Sequence, residues 1–340
     1  MLPIAIDVMS GDRAPREYIA GALAALAEDA QLGALLVGEG GLIGAQLADC
    51  PQRLRERITI VPTTQVVGMS EHPREAVRRK KDSSMRMAVE LVRSGRAQAC
   101  VSAGNTGALT AIAHFVLRTL PGVERAAIIS AIPAAHGHTH MLDLGANTKA
   151  SPGQLCQFAT MGAIISRDVY GLASPRIGLL NIGEEDIKGH EVVQAAHVLL
   201  LASGLNYVGF VEGDDIFSGD VDVVVTDGFT GNVALKTMEG LAALIAARMR
   251  REFHASWLDR LAGLAAYRVL GRVRESLDPR RYNGACMVGL TGIVVKSHGG
   301  ADGVAFSRAV ITAARAARHG LTGHIAQALA APQSIGSSIL

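Results

Sequence analysis

The chain has 340 residues, 49% of them apolar and 4% aromatic, with 33 Lys+Arg against 31 Asp+Glu. That length supports a substantial core, and a formal charge of +2 argues against nucleic-acid binding through overall basicity. Four widely spaced cysteines, Cys50, Cys100, Cys156 and Cys286, exclude a zinc ribbon, a Cys-x-x-Cys couple and a small disulfide scaffold, and read as reduced core thiols.

From the start, Met1 to Asp7 has no basic stretch before its apolar residues, and no uncharged apolar run reaches the roughly 18 residues of a membrane span, so a cytosolic protein is expected. Short apolar runs then recur as predicted buried strands: 4–6, 35–37, 58–61, 99–101, 127–129, 141–144, 177–180, 207–211 and 221–225. Between them lie Ala/Leu-rich stretches of helical length, such as 17–32, 83–94 and 107–120, which is the alternation of an α/β sheet covered by helices. The runs 126–132 and 139–144 are joined by six residues, too few for a crossover helix, so they predict an antiparallel hairpin and a mixed, mostly parallel sheet. No repeat, linker or composition break divides the chain, so residues 1–340 are expected to form a single α/β catalytic domain. Residues 233–281 depart from the alternation and predict a helical hairpin insertion whose two helices meet near Phe253 to Trp257. From 248 to 281 it carries nine arginines against four carboxylates.

Polar and glycine residues cluster after five predicted strand ends, at 7–12, 102–107, 143–147, 181–189 and 226–232, where open α/β sheets hold ligands. In 102–107 the glycines precede a helix whose free N–H groups suit an anion. Ordinary capping by Asn105 or Thr106 accounts for one such turn alone, whereas five in one chain point to a shared cleft. Gly38-Glu39-Gly40-Gly41-Leu42-Ile43 lacks the third glycine of a dinucleotide fingerprint, and 231–237 lacks the glycine before Lys of a phosphate-binding loop. No Gly-x-Ser-x-Gly elbow is present. The run Arg74, Arg78, Arg79, Lys80, Lys81 before Ser83 and Ser84 is either a solvated basic surface or part of an anion site at a helix start.

Ser-Ala-Gly-Asn-Thr-Gly-Ala at 102–108, Leu-Asp-Leu-Gly-Ala-Asn at 142–147 and Gly-Leu-Leu-Asn-Ile-Gly-Glu-Glu at 178–185, followed by Ile187-Lys188-Gly189, resemble the bacterial phosphate acyltransferase family. So do Phe-Val-Glu-Gly-Asp-Asp-Ile at 210–216, the string from Val224 to Thr237, and Val-Val-Lys-Ser-His-Gly at 294–299. Ser10 and His190 depart from it, standing where the family commonly has Gly and Asn, and Ser10 requires a negative φ or strain. The resemblance implies a three-layer α/β/α fold like that of isopropylmalate dehydrogenase and phosphotransacetylase, and a homodimer. It implies transfer of a fatty acyl group from the acyl carrier protein (ACP) thioester to inorganic phosphate. The acyl phosphate would feed the membrane enzyme that acylates glycerol 3-phosphate in phospholipid synthesis; no metal or organic cofactor is implied.

That chemistry needs an anion cradle, alignment and donors for a developing oxyanion, which are the groups of the five turns. Lys188 is the candidate for phosphate or oxyanion stabilisation, and Asp227 for orienting Lys188 or moving a proton. Asn105, Thr106 and Asn232 are expected to position substrate, with Ser83, Asn147, Asn181, Lys296 and His298 completing the binding set. In the hairpin, Arg248, Arg250, Arg251, Arg272 and Arg274 are candidates for docking acidic ACP. Trp257 and Leu261 belong to an apolar stripe that suits either a membrane surface or a packing contact.

Overall fold

A computed structural model describes residues 1–330 except Asp186 and Leu277, and the side chains at 273–276 and 279 also lie outside the description. Its strands are β1 Leu2–Asp7, β2 Leu32–Gly38, β3 Ile58–Pro62, β4 Ala99–Ser102, β5 Ala127–Pro133, β6 His138–Leu142, β7 Ile177–Leu180, β8 Tyr207–Val211, β9 Val223–Val225, β10 Ala285–Val288 and β11 Ile293–Lys296. The helices are α1 Pro15–Glu28, α2 Gly40–Gln46, α3 Gln52–Arg55, α4 Pro73–Arg79, α5 Ser84–Arg93, α6 Thr106–Leu117, α7 Pro152–Asp168, α8 Glu191–Leu201, α9 Asp215–Ser218, α10 Gly228–Phe253, α11 Trp257–Ser276, α12 Gly303–Arg318 and α13 Leu321–Ala330.

All the strands form one sheet in the order β3-β2-β1-β4-β11-β10-β5-β6-β9-β7-β8. The first five in this order are mutually parallel, as are the last four. Three antiparallel steps, β11 to β10, β10 to β5 and β5 to β6, lie between them. An odd number of reversals makes the two parallel blocks run in opposite senses. Register aligns Asp7 with Ser102 and Ser102 with Lys296, so three polar residues end one row of the first block.

Successive residues of β1 feed opposite faces: Ile4 and Ile6 belong to the core under α1 and α12, and Ala5 to the core under α5 and α6. Both faces are therefore dry, which is why the strands read as continuous apolar runs. On the first face α1 and α12 approach closely through Gly21, where a Cβ would stand 2.7 Å from the Gly303 carbonyl, and Tyr18 stacks on Phe306 at 4.9 Å between centroids. Among the described residues the cysteines are free, and Cys100, Cys156 and Cys286 are buried.

The expected α/β/α layers and the β5–β6 hairpin are present. Two expectations need correction. The helix predicted over 17–32 ends at Glu28, because Asp29 caps it in extended conformation and Leu32 opens β2. The insertion begins at Gly228 rather than 233, since Asp227 starts α10 directly at the end of β9. Residues 239–252 are all exposed, including Leu241, Leu244, Ile245 and Met249, and so are Trp257, Leu258, Leu261 and Leu264 on α11.

Near the start of β6 a buried aromatic cluster joins His138, His140 and Tyr170 at 4.2–5.0 Å between centroids. His140 Nδ1 shares a 2.8 Å hydrogen bond with the Ser166 hydroxyl, and Nε2 of both histidines is buried without a partner. Burial, followed by repulsion from His138, pushes the His140 pKa down to about 3. The unfolded chain takes up a proton below about pH 6.5 that folded His140 refuses. Stability is therefore lost as pH falls from there, by about 1.4 kcal/mol per unit from this group. Chemical denaturation of wild type and His140→Asn between pH 6.5 and 4.5 checks this: the variant should show the shallower fall, and equal slopes would refute it.

Candidate active site

The polar residues fall into two groups, one at the end of each parallel block. In the first, Asp7 is fully buried and accepts from Met9 N–H at 3.1 Å, Ser10 N–H at 3.2 Å and the Ser102 hydroxyl at 2.7 Å. Ser102 in turn accepts from Gly104 N–H at 3.1 Å. Lys296 donates to the carbonyls of Ala103, at 3.3 Å, and Ser297. Burial pushes its pKa down to about 8, with Lys236 of α10 adding repulsion while Asp12 and Asp7 oppose both. Helix α10 thus carries a cation from the second block to the first.

Asn105 caps α6 by accepting from Ala108 N–H at 2.9 Å, and its amide donates to Met69 O at 2.5 Å. Ser83 caps α5, accepting from Arg86 N–H at 3.4 Å and donating to Lys80 O at 2.8 Å. His298 is exposed; its Nδ1 accepts from Gly300 N–H at 3.1 Å and its N–H donates to Asn283 at 2.9 Å.

In the second group Asp143 is the organiser. It accepts from Ile128, Gly145, Ala146 and Asn147 N–H and from the Asn147 amide, all at 2.7–3.2 Å. Burial nonetheless holds its carboxyl above the usual carboxylate range. Gly231 lies so close that a Cβ there would collide with the Asp143 carbonyl, which seats the first turn of α10 on this loop. Asp227 accepts from Phe229 and Thr230 N–H at 2.9 and 3.0 Å and from the Thr230 hydroxyl at 2.8 Å. Asn232 is exposed beside Gly145, where the φ of +125° requires glycine, and among the described residues its side chain makes no hydrogen bond.

The 181–189 loop is closed by two amides. Asn181 donates to Gly183 O at 3.0 Å and Lys188 O at 3.2 Å, and Gln194 donates to Ile187 O at 3.2 Å. They present Lys188, whose Nζ lies 3.9 Å from Glu185. A cavity of about 340 Å³ sits between the ends of β7 and β9. Leu155, Leu179, Leu180, Val192 and Val193 give it apolar walls, and Lys149, His190 and Asp227 are among its polar residues. Helices α8 and α10 both start at this cavity, and the N-cap of α8, His190, supplies no side-chain cap, so its first N–H groups are available to an anion.

A profile of the fatty acid synthesis protein family matches residues 2–323. The phosphate acyltransferase of Methylococcus capsulatus is 52% identical over 315 residues, 93% of each chain. That of Alkalilimnicola ehrlichii is 52% identical over 326 residues, covering 96% of this chain and 95% of its own. The chain belongs to the phosphate acyltransferase family. A phosphotransacetylase from Streptococcus pyogenes matches in fold, with a TM-score of 0.62 at 15% identity over 93% of this chain and 94% of its own.

In this member of the phosphate acyltransferase family, several of the expected site residues make structural contacts. Asn147, Asn181, Asn105 and Ser83 spend their hydrogen bonds on loop closure and capping, the Asn147 amide also reaching Ala126 O at 2.7 Å. Asp227 holds the start of α10, and Lys188 has Glu185 as a carboxylate neighbour. Lys188, Asp227 and Asn232 do gather at the second block, while Thr106, Lys296 and His298 belong to the first. Arg248, Arg250, Arg251, Trp257, Leu261 and Arg272 lie on the hairpin, and the Arg274 side chain is outside the described residues. Ser10 avoids positive φ because Gly11, at +142°, makes the turn. Sequence reasoning gave no role to Asp7, Asp143 or Lys149. The first two carried a signal, a carboxylate at a strand end followed within four residues by glycine; Lys149 carried none. Among the described residues no cluster of His, Cys, Asp and Glu suits a metal ion.

Proposed function

We propose that this protein transfers a fatty acyl group from acyl-ACP to inorganic phosphate, giving an acyl phosphate for glycerol 3-phosphate acylation in phospholipid synthesis. The observation that carries the reading is the cavity at the ends of β7 and β9, apolar inside and edged by the uncapped start of α8 and by Lys149, with Lys188 on the adjoining loop. The acyl chain suits the apolar walls, and the phosphate suits the uncapped start of α8. A phosphate oxygen attacks the thioester carbon; the C–O bond forms, the C–S bond breaks, and sulfur leaves as thiolate, so no covalent enzyme intermediate is required. Lys188 and the N–H groups stabilise the charge that develops on the carbonyl oxygen, and Asn232 positions the phosphate. The test is to mix pure protein with acyl-ACP and phosphate: thioester loss that depends on phosphate, with an acyl phosphate trapped by hydroxylamine, is expected. Loss of thioester without phosphate dependence would overturn the reading.

The reading extends to the surroundings of the site. Residues 1–340 act as one catalytic unit that works in the cytoplasm as a homodimer and meets the inner face of the membrane through the hairpin. Support comes from the exposed apolar side chains of α10 and α11, flanked by Arg248, Arg250, Arg251 and Arg272. An apolar face of this kind with Trp and Arg beside it suits a headgroup boundary. No described helix is long and apolar enough to cross a membrane. Co-sedimentation with anionic vesicles should be strong for wild type and weak for Trp257→Glu plus Leu261→Glu. If wild type stays in the supernatant, the face belongs to a protein contact instead.

A further inference from the structure

Residues 74–81 carry five cations against one carboxylate, and the proposed chemistry uses none of them. Arg79 and Lys80 have acidic neighbours, Glu75 at 3.6 Å and Glu71 at 3.9 Å. Arg74, Arg78 and Lys81 are exposed, and among the described residues they have no carboxylate partner. A solvated charge run is usually mobile and neutral in effect, but this one is fixed at both ends. At its far end Asp82 accepts from Thr64 N–H at 2.8 Å and from the Thr64 hydroxyl at 2.5 Å, while Arg86 donates to Val77 O at 3.0 Å. At its near end Asn105 holds Met69 O, and Pro73 packs on the first turn of α6, its Cγ 3.1 Å from where a Cβ on Gly107 would stand. The near end of the ridge, at Pro73, therefore lies against the first turn of α6 beside Asn105.

Two other surfaces compete for an acidic protein carrying the thioester, and both fit it less well. Beside Lys188, Glu184, Glu185, Glu212, Asp214 and Asp215 line a cleft of about 380 Å³. Their charge repels an acidic partner from the outer side of the second block. The hairpin is basic, but its exposed face is dominated by Leu, Ile, Met and Trp, which a charged, strongly hydrated protein surface does not complement.

We propose that the α4 ridge, through Arg74, Arg78 and Lys81, is the docking surface for the acidic carrier protein. The proposal rests on the acyl-ACP reading above. It moves carrier docking off the hairpin, leaving that element to the membrane or the second copy. With the backbone that carries them fixed at both ends, the three cations present their charge from set positions and steer the encounter toward the strand ends of the first block.

The experiment compares wild type, Arg74→Glu/Arg78→Glu/Lys81→Glu and the neutral Arg74→Gln/Arg78→Gln/Lys81→Gln variant on two donors, acyl-ACP and the same acyl group on N-acetylcysteamine. The ratio of kcat/KM for acyl-ACP to that for the small thioester should fall about tenfold on reversal and less on neutralisation. The loss should shrink with added salt, as the Debye length drops below about 10 Å above 0.1 M. Direct titration with ACP should show the same order of affinities, which tests docking even in a protein that turned out not to consume thioester. That last result would remove the functional reading and leave docking to be judged by the titration. An unchanged ratio and affinity, an equal loss on both donors, a larger selective loss from Arg248→Glu/Arg250→Glu/Arg251→Glu, or loss of anionic-vesicle binding in place of carrier affinity would each overturn the proposal.

Discussion

Lys188→Ala is expected to lower kcat at saturating phosphate by about two orders of magnitude, the scale of removing one donor aimed at developing charge. The residue is exposed, its stem lies over Gly183, and its loop is closed by the Asn181 and Gln194 amides through the Lys188 backbone, which alanine keeps. The unfolding midpoint should therefore stay where it is. Lys188→Arg should recover only part of the rate, because guanidinium spreads the charge over a larger fork. Wild-type turnover in the alanine variant would remove Lys188 from the mechanism.

Asp143→Ala should lower the unfolding free energy by about 3–5 kcal/mol, since it leaves several buried or half-buried N–H donors without an acceptor at once. The carboxylate ties β5, the 143–147 loop and Asn147 together, and Gly228 N–H then bonds Asn147 O at 2.8 Å. The start of α10 depends on that chain of contacts, so activity should fall with stability. Asp143→Asn, which keeps one acceptor oxygen, should cost less. Urea denaturation decides the matter; a loss below about 1 kcal/mol in the alanine variant would mean that the loop is held by something else.

The nine strands expected from apolar runs are all present, because strands buried on both faces announce themselves by continuity. The two that were missed, β10 and β11, are four residues each and are bounded by Gly284, Gly289 and Gly292. They follow an arginine-rich helical segment that hid the return to strand. Their absence mattered for the site. Without β10 between β11 and β5 nothing reveals that the sheet reverses, so the division of the five polar turns between two parallel blocks was not legible. The asparagines were ambiguous for a different reason: Asn105, Asn147 and Asn181 use the same amide to close a loop that a ligand site would use on substrate, and only geometry separates the two.

Helix α10 runs unbroken from the cap at Asp227 to Phe253, 26 residues on one axis. A straight helix of that length is about 39 Å long, so a tilt of roughly 5° about its seated end swings the far end through about 3 Å while the first turn scarcely shifts. The rod is therefore a lever with its fulcrum on Asp143. Asn232 and Lys236 lie between the fulcrum and the tip, close to the fulcrum, so a tilt moves them far less than it moves Phe253. The seated end is therefore the part of the hairpin whose position is least sensitive to how the rod tilts.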